Sequence, residues 1–197
     1  MTTLLLISFI VLWIVIIGEG ILLFQLYRHV ALVYAPKGNG LAVGTPAPHL
    51  VAYDSVGRKV PLQELLTTDH VVLVFGSPTC AGCRSLLRNR DVRRLLSMRS
   101  VPGYFLSTSG GTTADIITSL RSVPSLDVLT IENKALHAYA VASTPFAYVV
   151  ARTGTISARG LVGGPEDLVE LCDDAYKRDH VAAQPSSQIP AAQHLGR

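Results

Sequence analysis

The chain has 197 residues, 49% hydrophobic and 16% charged, with a formal net charge of +3 at pH 7. That length holds one ordinary domain plus accessory segments. So small a charge, with Arg84, Arg88, Arg90, Arg93, Arg94 and Arg99 not interleaved with aromatics, argues against nucleic-acid binding. Three cysteines, at 80, 83 and 172, are too few for a disulfide-stapled scaffold and fit one redox pair plus a spectator.

Leu4 to Leu26 is apolar apart mainly from Glu19 and Gln25. As a helix rising about 1.5 Å per residue it would span about 34 Å, enough for a bilayer core. Met1-Thr2-Thr3 carries no basic residue and no A-x-A site follows, so a retained anchor at 4–26 is expected rather than a cleaved signal peptide. A carboxylate such as Glu19 is costly in hydrocarbon unless it is protonated, interfacial or paired with a membrane partner. Arg28 and Lys37 after the segment, with none before it, point the domain to the cytosol. The thiol chemistry points the other way, because disulfides persist outside the cytosol. An extracytoplasmic domain at the cell membrane is the expectation.

A linker is read over 27–47, where Ala35 to Pro48 is rich in Pro and Gly. His49–Tyr53 and Lys59–Leu62 read as a hairpin over Asp54–Arg58, and Leu62–Leu66 as a helical turn. Val71–Phe75 is continuously apolar and β-branched, the pattern of a buried central strand. Cys80 to about Leu96 reads as one helix with its arginines facing water. Then come a strand over Val101–Leu106, a helix over Thr113–Arg121 capped at Thr112, a strand over Val128–Ile131 and a short helix over Lys134–Tyr139. Phe146–Ala151 and Thr155–Arg159 form a hairpin over Arg152-Thr153-Gly154, and Pro165–Tyr176 is the last helix, with Pro165 in its first turn. From Val181 the composition predicts disorder. After the first hairpin, and leaving the short helix aside, the order β-α-β-α-β-β-α predicts an α/β fold, a mixed central sheet flanked by helices.

The chemistry lies in Thr79-Cys80-Ala81-Gly82-Cys83. Helical spacing puts Cys83 under Cys80, close enough to form a disulfide. Cys80 at a helix N-terminus meets unpaired N–H groups and the positive dipole end, which lower a thiol's pKa. Arg84 and Arg88 are expected to add to this. Cys80 is then the attacking thiol and Cys83 the resolving one. Zinc would need a second spaced pair, which His70, His137 and Cys172 do not make. A c-type haem would need His where Arg84 stands. A cysteine protease would leave the second thiol unexplained. No metal and no cofactor is expected. Cys172, among Leu168, Val169 and Leu171, reads as a buried structural thiol.

The strand–CxxC–helix unit, with Ser143-Thr144-Pro145-Phe146 about 60 residues later, resembles the thioredoxin-like superfamily. The resemblance covers about Gly44 to Tyr176. It implies a thioredoxin-like domain over 48–178, a tail over 179–197, a cis Pro145 facing the dithiol, and Thr144 offering its backbone to a substrate segment. Thr79 is expected to border that substrate. Gly44-Thr45-Pro46-Ala47-Pro48 and the following hairpin are similar to the membrane-tethered TlpA/ResA-like branch. Gln25 to Pro36 and Ser77-Pro78-Thr79-Cys80 resemble MauD-type methylamine-utilisation accessory proteins, which implies a role in maturing a disulfide-rich dehydrogenase subunit. Partners so implied are client-protein thiols or disulfides and a membrane redox partner. Thioredoxins proper carry Trp where Thr79 stands, Gly-Pro where Ala81-Gly82 stand, and a buried Asp where Val74 stands. The function expected is thiol–disulfide exchange. The alternatives are a tethered assembly factor with secondary thiols, and a peroxide-reducing thiol enzyme.

Overall fold

The computed structural model describes residues 40–108, 113–120 and 123–183, with residues 7, 9, 12, 13 and 17–21 of the N-terminal segment. The chain divides into two compact units, Met1–Gly38 and Asn39–Arg197. In the first, the described residues are helical and exposed, Glu19 included, and Phe9 meets Trp13 edge to face at 6.2 Å. No helix among the described residues is long and apolar enough to cross a membrane. Most of the 4–26 anchor expected from sequence lies outside the described residues, as do Thr112, Arg121 and the tail beyond residue 183.

The second unit holds β1 (Val51–Tyr53), β2 (Lys59–Pro61), α1 (Leu62–Leu65), β3 (His70–Gly76), α2 (Ala81–Arg88), α3 (Arg90–Met98) and β4 (Gly103–Ser107). It continues with α4 (Thr113–Leu120), β5 (Asp127–Ile131), α5 (Asn133–Ala138), β6 (Phe146–Ala151), β7 (Ile156–Leu161) and α6 (Pro165–Ala183). The strands form one sheet in the order β2-β1-β5-β4-β3-β6-β7. β3, β4 and β5 are parallel; β6 is antiparallel to β3, β7 to β6, and β1 to both β5 and β2.

β3 lies inside the sheet, between β4 and β6, and its residues are apolar on both faces. With the two-residue period of a strand, Val72 and Val74 enter one core and Val71, Leu73 and Phe75 the other. The first core is closed by Leu86 and Leu87 of α2, Val92 and Leu96 of α3, Ile116 of α4, and Leu168, Cys172 and Ala175 of α6. Leu62 and Leu65 of α1 and Ala135 of α5 close the second. The expected mixed sheet with helices on both faces is the architecture observed.

Three expectations need correction. The single helix expected over Cys80–Leu96 is two, because Asn89 is extended (φ −79°, ψ 109°) and its side chain accepts the Asp91 N–H at 3.0 Å as the cap of α3. The last helix does not stop at Tyr176. It runs on to Ala183, through the start of the stretch expected to be disordered, because Asp179 is tied to the sheet by His70 Nε2 at 2.6 Å and by the Ser157 hydroxyl at 2.9 Å. Residues 40–47, read as linker, are fastened to the domain by Gly40 N–H to Ala140 O, Gly44 N–H to Ile156 O and Ala47 N–H to Gly154 O, each 2.8 Å.

Candidate active site

β3 ends at Gly76, and the chain turns through Ser77-Pro78-Thr79 into α2. Short polar side chains fix this turn. The Ser77 hydroxyl accepts the Thr79 N–H at 3.3 Å and shares a hydrogen bond with the Thr79 hydroxyl at 2.8 Å. Cys80 N–H donates to Ser77 O at 3.1 Å, and Arg84 Nη1 donates to the Pro78 and Thr79 carbonyls, each at 3.2 Å. Cys80 is thereby set as the N-cap residue of α2. Its side chain is partly exposed, while Cys83 in the first turn is fully buried. Both are free thiols.

Gly76 is a residue that sequence reasoning missed. A Cβ there would lie 2.5 Å from Phe105 Cζ and 2.8 Å from Cys83 Sγ, so only glycine lets the Cys83 sulfur rest on the sheet. The signal was a glycine closing an otherwise apolar strand.

Strand pairing delivers Thr144 and Pro145. Phe146 pairs with Phe75 in the antiparallel β3–β6 ladder, which sets Pro145 beside the end of β3 from which the cysteines project. The Thr144–Pro145 bond is cis. Pro145 Cδ lies 3.4 Å from where a Cβ would stand on Gly82, and the Cys80 thiol points at Thr144 O, 3.7 Å away. Cys80, Cys83, Thr144 and Pro145 are therefore brought together. Thr79 is exposed next to Cys80, with its hydroxyl engaged by Ser77.

The two thiols differ electrostatically. Cys80 is held below the usual thiol value, chiefly by the Cys83 backbone N–H, against the cost of burial, with smaller help from the Cys83 thiol, the Thr144 hydroxyl and the Gly82 N–H. Neither N–H closes a cap hydrogen bond to Sγ; they act by orientation at the helix N-terminus. Arg84, expected to help, is turned to the loop carbonyls and is not among the groups that chiefly lower Cys80. Burial pushes Cys83 up to about 11, with the neighbouring Cys80 adding to the rise and the Ser77 N–H and Thr144 hydroxyl opposing it. The arrangement can hold a nucleophilic thiolate at Cys80 while Cys83 keeps its proton as second thiol.

No protein-family model and no curated protein matches the chain. Solved structures do. A thioredoxin domain of a thiol-disulfide oxidoreductase from Bacteroides vulgatus is 20% identical, with 73% of this chain and 99% of that one covered and a TM-score of 0.53. A chain assigned as a thiol:disulfide interchange protein DsbE, from Chlorobium tepidum, is 20% identical over 70% of this chain and 98% of that one, with a TM-score of 0.58. The chain has the thioredoxin fold. A peroxiredoxin-like protein from Aquifex aeolicus is also similar, at 14% identity over 70% of this chain and 90% of that one, TM-score 0.54. Likeness at these identities shows the fold alone, and the argument for function rests on the site.

Cys172 lies elsewhere. It is buried on α6, and burial pushes its thiol up to about 11. It borders a cleft of about 610 Å³ with His70, Arg99, Arg152 and Tyr176. That cleft sits at the start of β3, the end opposite the Cys80–Cys83 pair. Among the described residues no group of three or more His, Cys, Asp or Glu is placed to hold a metal ion.

Proposed function

We propose that this chain is a membrane-anchored thiol–disulfide oxidoreductase acting on cysteines of extracytoplasmic client proteins. One observation carries the reading: a partly exposed thiol held below its usual pKa lies beside a buried thiol held above it, at a cis Thr144–Pro145 bond. Cys80 attacks a client sulfur, Cys83 resolves the mixed disulfide, and Thr144-Pro145, bordered by Thr79, receives the client segment. The apolar residues 4–26 supply the anchor. The MauD-like motifs support a narrower role in maturing a disulfide-rich dehydrogenase subunit.

The test is equilibration of the detergent-solubilised full chain against glutathione. A reversible two-electron couple, lost in Cys80→Ser, is expected. A midpoint near about −120 to −180 mV identifies a disulfide donor or isomerase, and one near about −270 mV a reductant. No reversible couple overturns the reading and favours an assembly factor with secondary thiols.

A further inference from the structure

Three consecutive carbonyls at the entry to α2 accept from one residue. Arg84 Nη1 donates to Pro78 O and to Thr79 O, each at 3.2 Å, and Arg84 N–H donates to Cys80 O at 3.1 Å. A trans peptide unit is planar, so its N–H points opposite to its C=O. Turning the Thr79 and Cys80 carbonyls toward Arg84 therefore turns the Cys80 and Ala81 N–H groups the other way. Ser77 O takes the Cys80 N–H at 3.1 Å. The Ala81 N–H joins those of Gly82 and Cys83 in the first turn of α2. The last two of these favour a thiolate at Cys80.

The other end of the turn borders the second thiol. Ser77 follows Gly76, whose bare Cα leaves the Cys83 sulfur 2.8 Å from where a Cβ would stand. The Ser77 N–H favours a thiolate at Cys83. The Ser77 hydroxyl reaches only as far as Thr79, at 2.8 Å and 3.3 Å. Arg84 supplies the link from the helix back to the turn.

A cation four residues after a thiol can act in two ways, by charge or by position. To act by charge the guanidinium should face the sulfur. Instead it faces backbone carbonyls and is not among the groups that chiefly lower Cys80. Both side-chain bonds come from one nitrogen, which carries two hydrogens. The turn therefore uses a doubly donating nitrogen at this point and not the whole planar fork.

Resting on the oxidoreductase reading above, we propose that Arg84 is a positioning residue for the exchange reaction. It holds the Pro78–Cys80 backbone so that Cys80 stays at the N-terminus of α2 and Ser77 stays beside Cys83, and it acts through those carbonyls rather than through its charge. Without the side chain, the Pro78 and Thr79 carbonyls lose their donor and the turn is free to rotate. Cys80 then meets the helix N–H groups less squarely.

The test is alkylation of the reduced, detergent-solubilised full chain with iodoacetamide across the pH range of thiol ionisation, with Cys80 read by peptide mass mapping. In Arg84→Met the midpoint for Cys80 is expected to rise by about half a pH unit, which lowers the rate below the midpoint about threefold. The difference from the wild-type chain is expected to be the same in about 0.1 M and about 1 M KCl, although the screening length falls from about 10 Å to about 3 Å. Arg84→Lys, which again offers one nitrogen with several hydrogens, is expected to recover more than half of the lost rate. A folded Arg84→Met chain with an unmoved midpoint overturns the proposal. So does a difference that at least halves in the higher salt, the mark of a charge acting through space, or a lysine variant no better than methionine. Should Arg84→Met fail to fold, Arg84→Gln, neutral and too short to span both carbonyls, takes its place; loss of the fold in both overturns the proposal in favour of a purely structural role. Glutathione equilibration of the wild-type chain separates the two readings. A reversible couple with no effect of Arg84 sinks the proposal alone, and absence of the couple sinks the oxidoreductase reading itself.

Discussion

Gly76→Ala is the substitution that couples fold and chemistry most tightly. The new Cβ would stand 2.5 Å from Phe105 Cζ, 2.6 Å from Phe105 Cε2 and 2.8 Å from Cys83 Sγ. None of these can yield cheaply: Phe105 and Cys83 are fully buried, Phe105 in β4 and Cys83 in α2. Overpacking of this kind costs about 1–3 kcal/mol. With a urea slope of about 2 kcal/mol per molar, the unfolding midpoint should fall by about 1 M. Because one obstructing atom is the Cys83 sulfur, the Cys80–Cys83 equilibrium with glutathione should shift in the same variant. Phe105→Leu in the same chain vacates the ring, so the two substitutions together should be less destabilising than their sum by about 1 kcal/mol. Gly57→Ala is the control. Its site has open space and a φ of +78°, so it should lose about 1 kcal/mol through backbone conformation and leave the redox equilibrium unmoved. A Gly76→Ala chain with an unchanged midpoint and an unchanged glutathione equilibrium would refute the packing argument.

Iodoacetamide at neutral pH should modify Cys80 and spare Cys83 and Cys172, whose thiols burial pushes up to about 11; peptide mass mapping reads this directly. Thr144→Val removes a hydroxyl that favours both thiolates, so the pH profile of Cys80 alkylation should move upward. Cys83 and Cys172 bind their protons more tightly folded than unfolded. Their stability contribution is therefore complete below pH 9 and is lost as pH rises toward about 11, at most about 3 kcal/mol for each thiol. Urea midpoints between pH 8 and 10 should fall, and fall less in the disulfide form, where Cys83 has no proton to lose. Asn89→Ala deletes the cap of α3 and should cost about 0.5–2 kcal/mol of unfolding free energy, with Cys80 reactivity unchanged.

The site was legible where its chemistry is local. A continuously apolar strand, a CxxC at the following turn and a distant Thr-Pro are each visible as residue types, and strand β6 brings them together by pairing Phe146 with Phe75. What sequence could not reveal depends on partners remote in the chain. Gly40 to Ala47 has the composition of a linker whether or not Ala140, Tyr148 and Gly154 hold it. The polar end of α6 looks like fraying chain until His70 and Ser157 are seen to fix Asp179. Asn89 did carry a signal, an N-cap residue with an acid in the following turn. The apolar spacing on both sides, which suits one continuous helix, masked it.

Val74, where the resemblance to thioredoxins would lead one to expect a buried Asp, is fully buried between Phe105 and Ala147 on the neighbouring strands. No carboxylate from that position can take the Cys83 proton. Once Cys80 is locked in a mixed disulfide its negative charge is gone, which relieves that part of the rise in Cys83. Burial, the largest cause, remains. Resolution must therefore draw on a thiolate that is scarce at neutral pH. The rate should climb about tenfold per pH unit from pH 6 to 9, whereas attack by Cys80 should level off at lower pH. Forming the Cys80–glutathione adduct and following its collapse to the intramolecular disulfide by rapid quench and mass spectrometry separates the two steps. A resolution rate already flat at pH 7 would mean that another group deprotonates Cys83. The Thr144 hydroxyl, which acts on both sulfurs, would then be the first to replace.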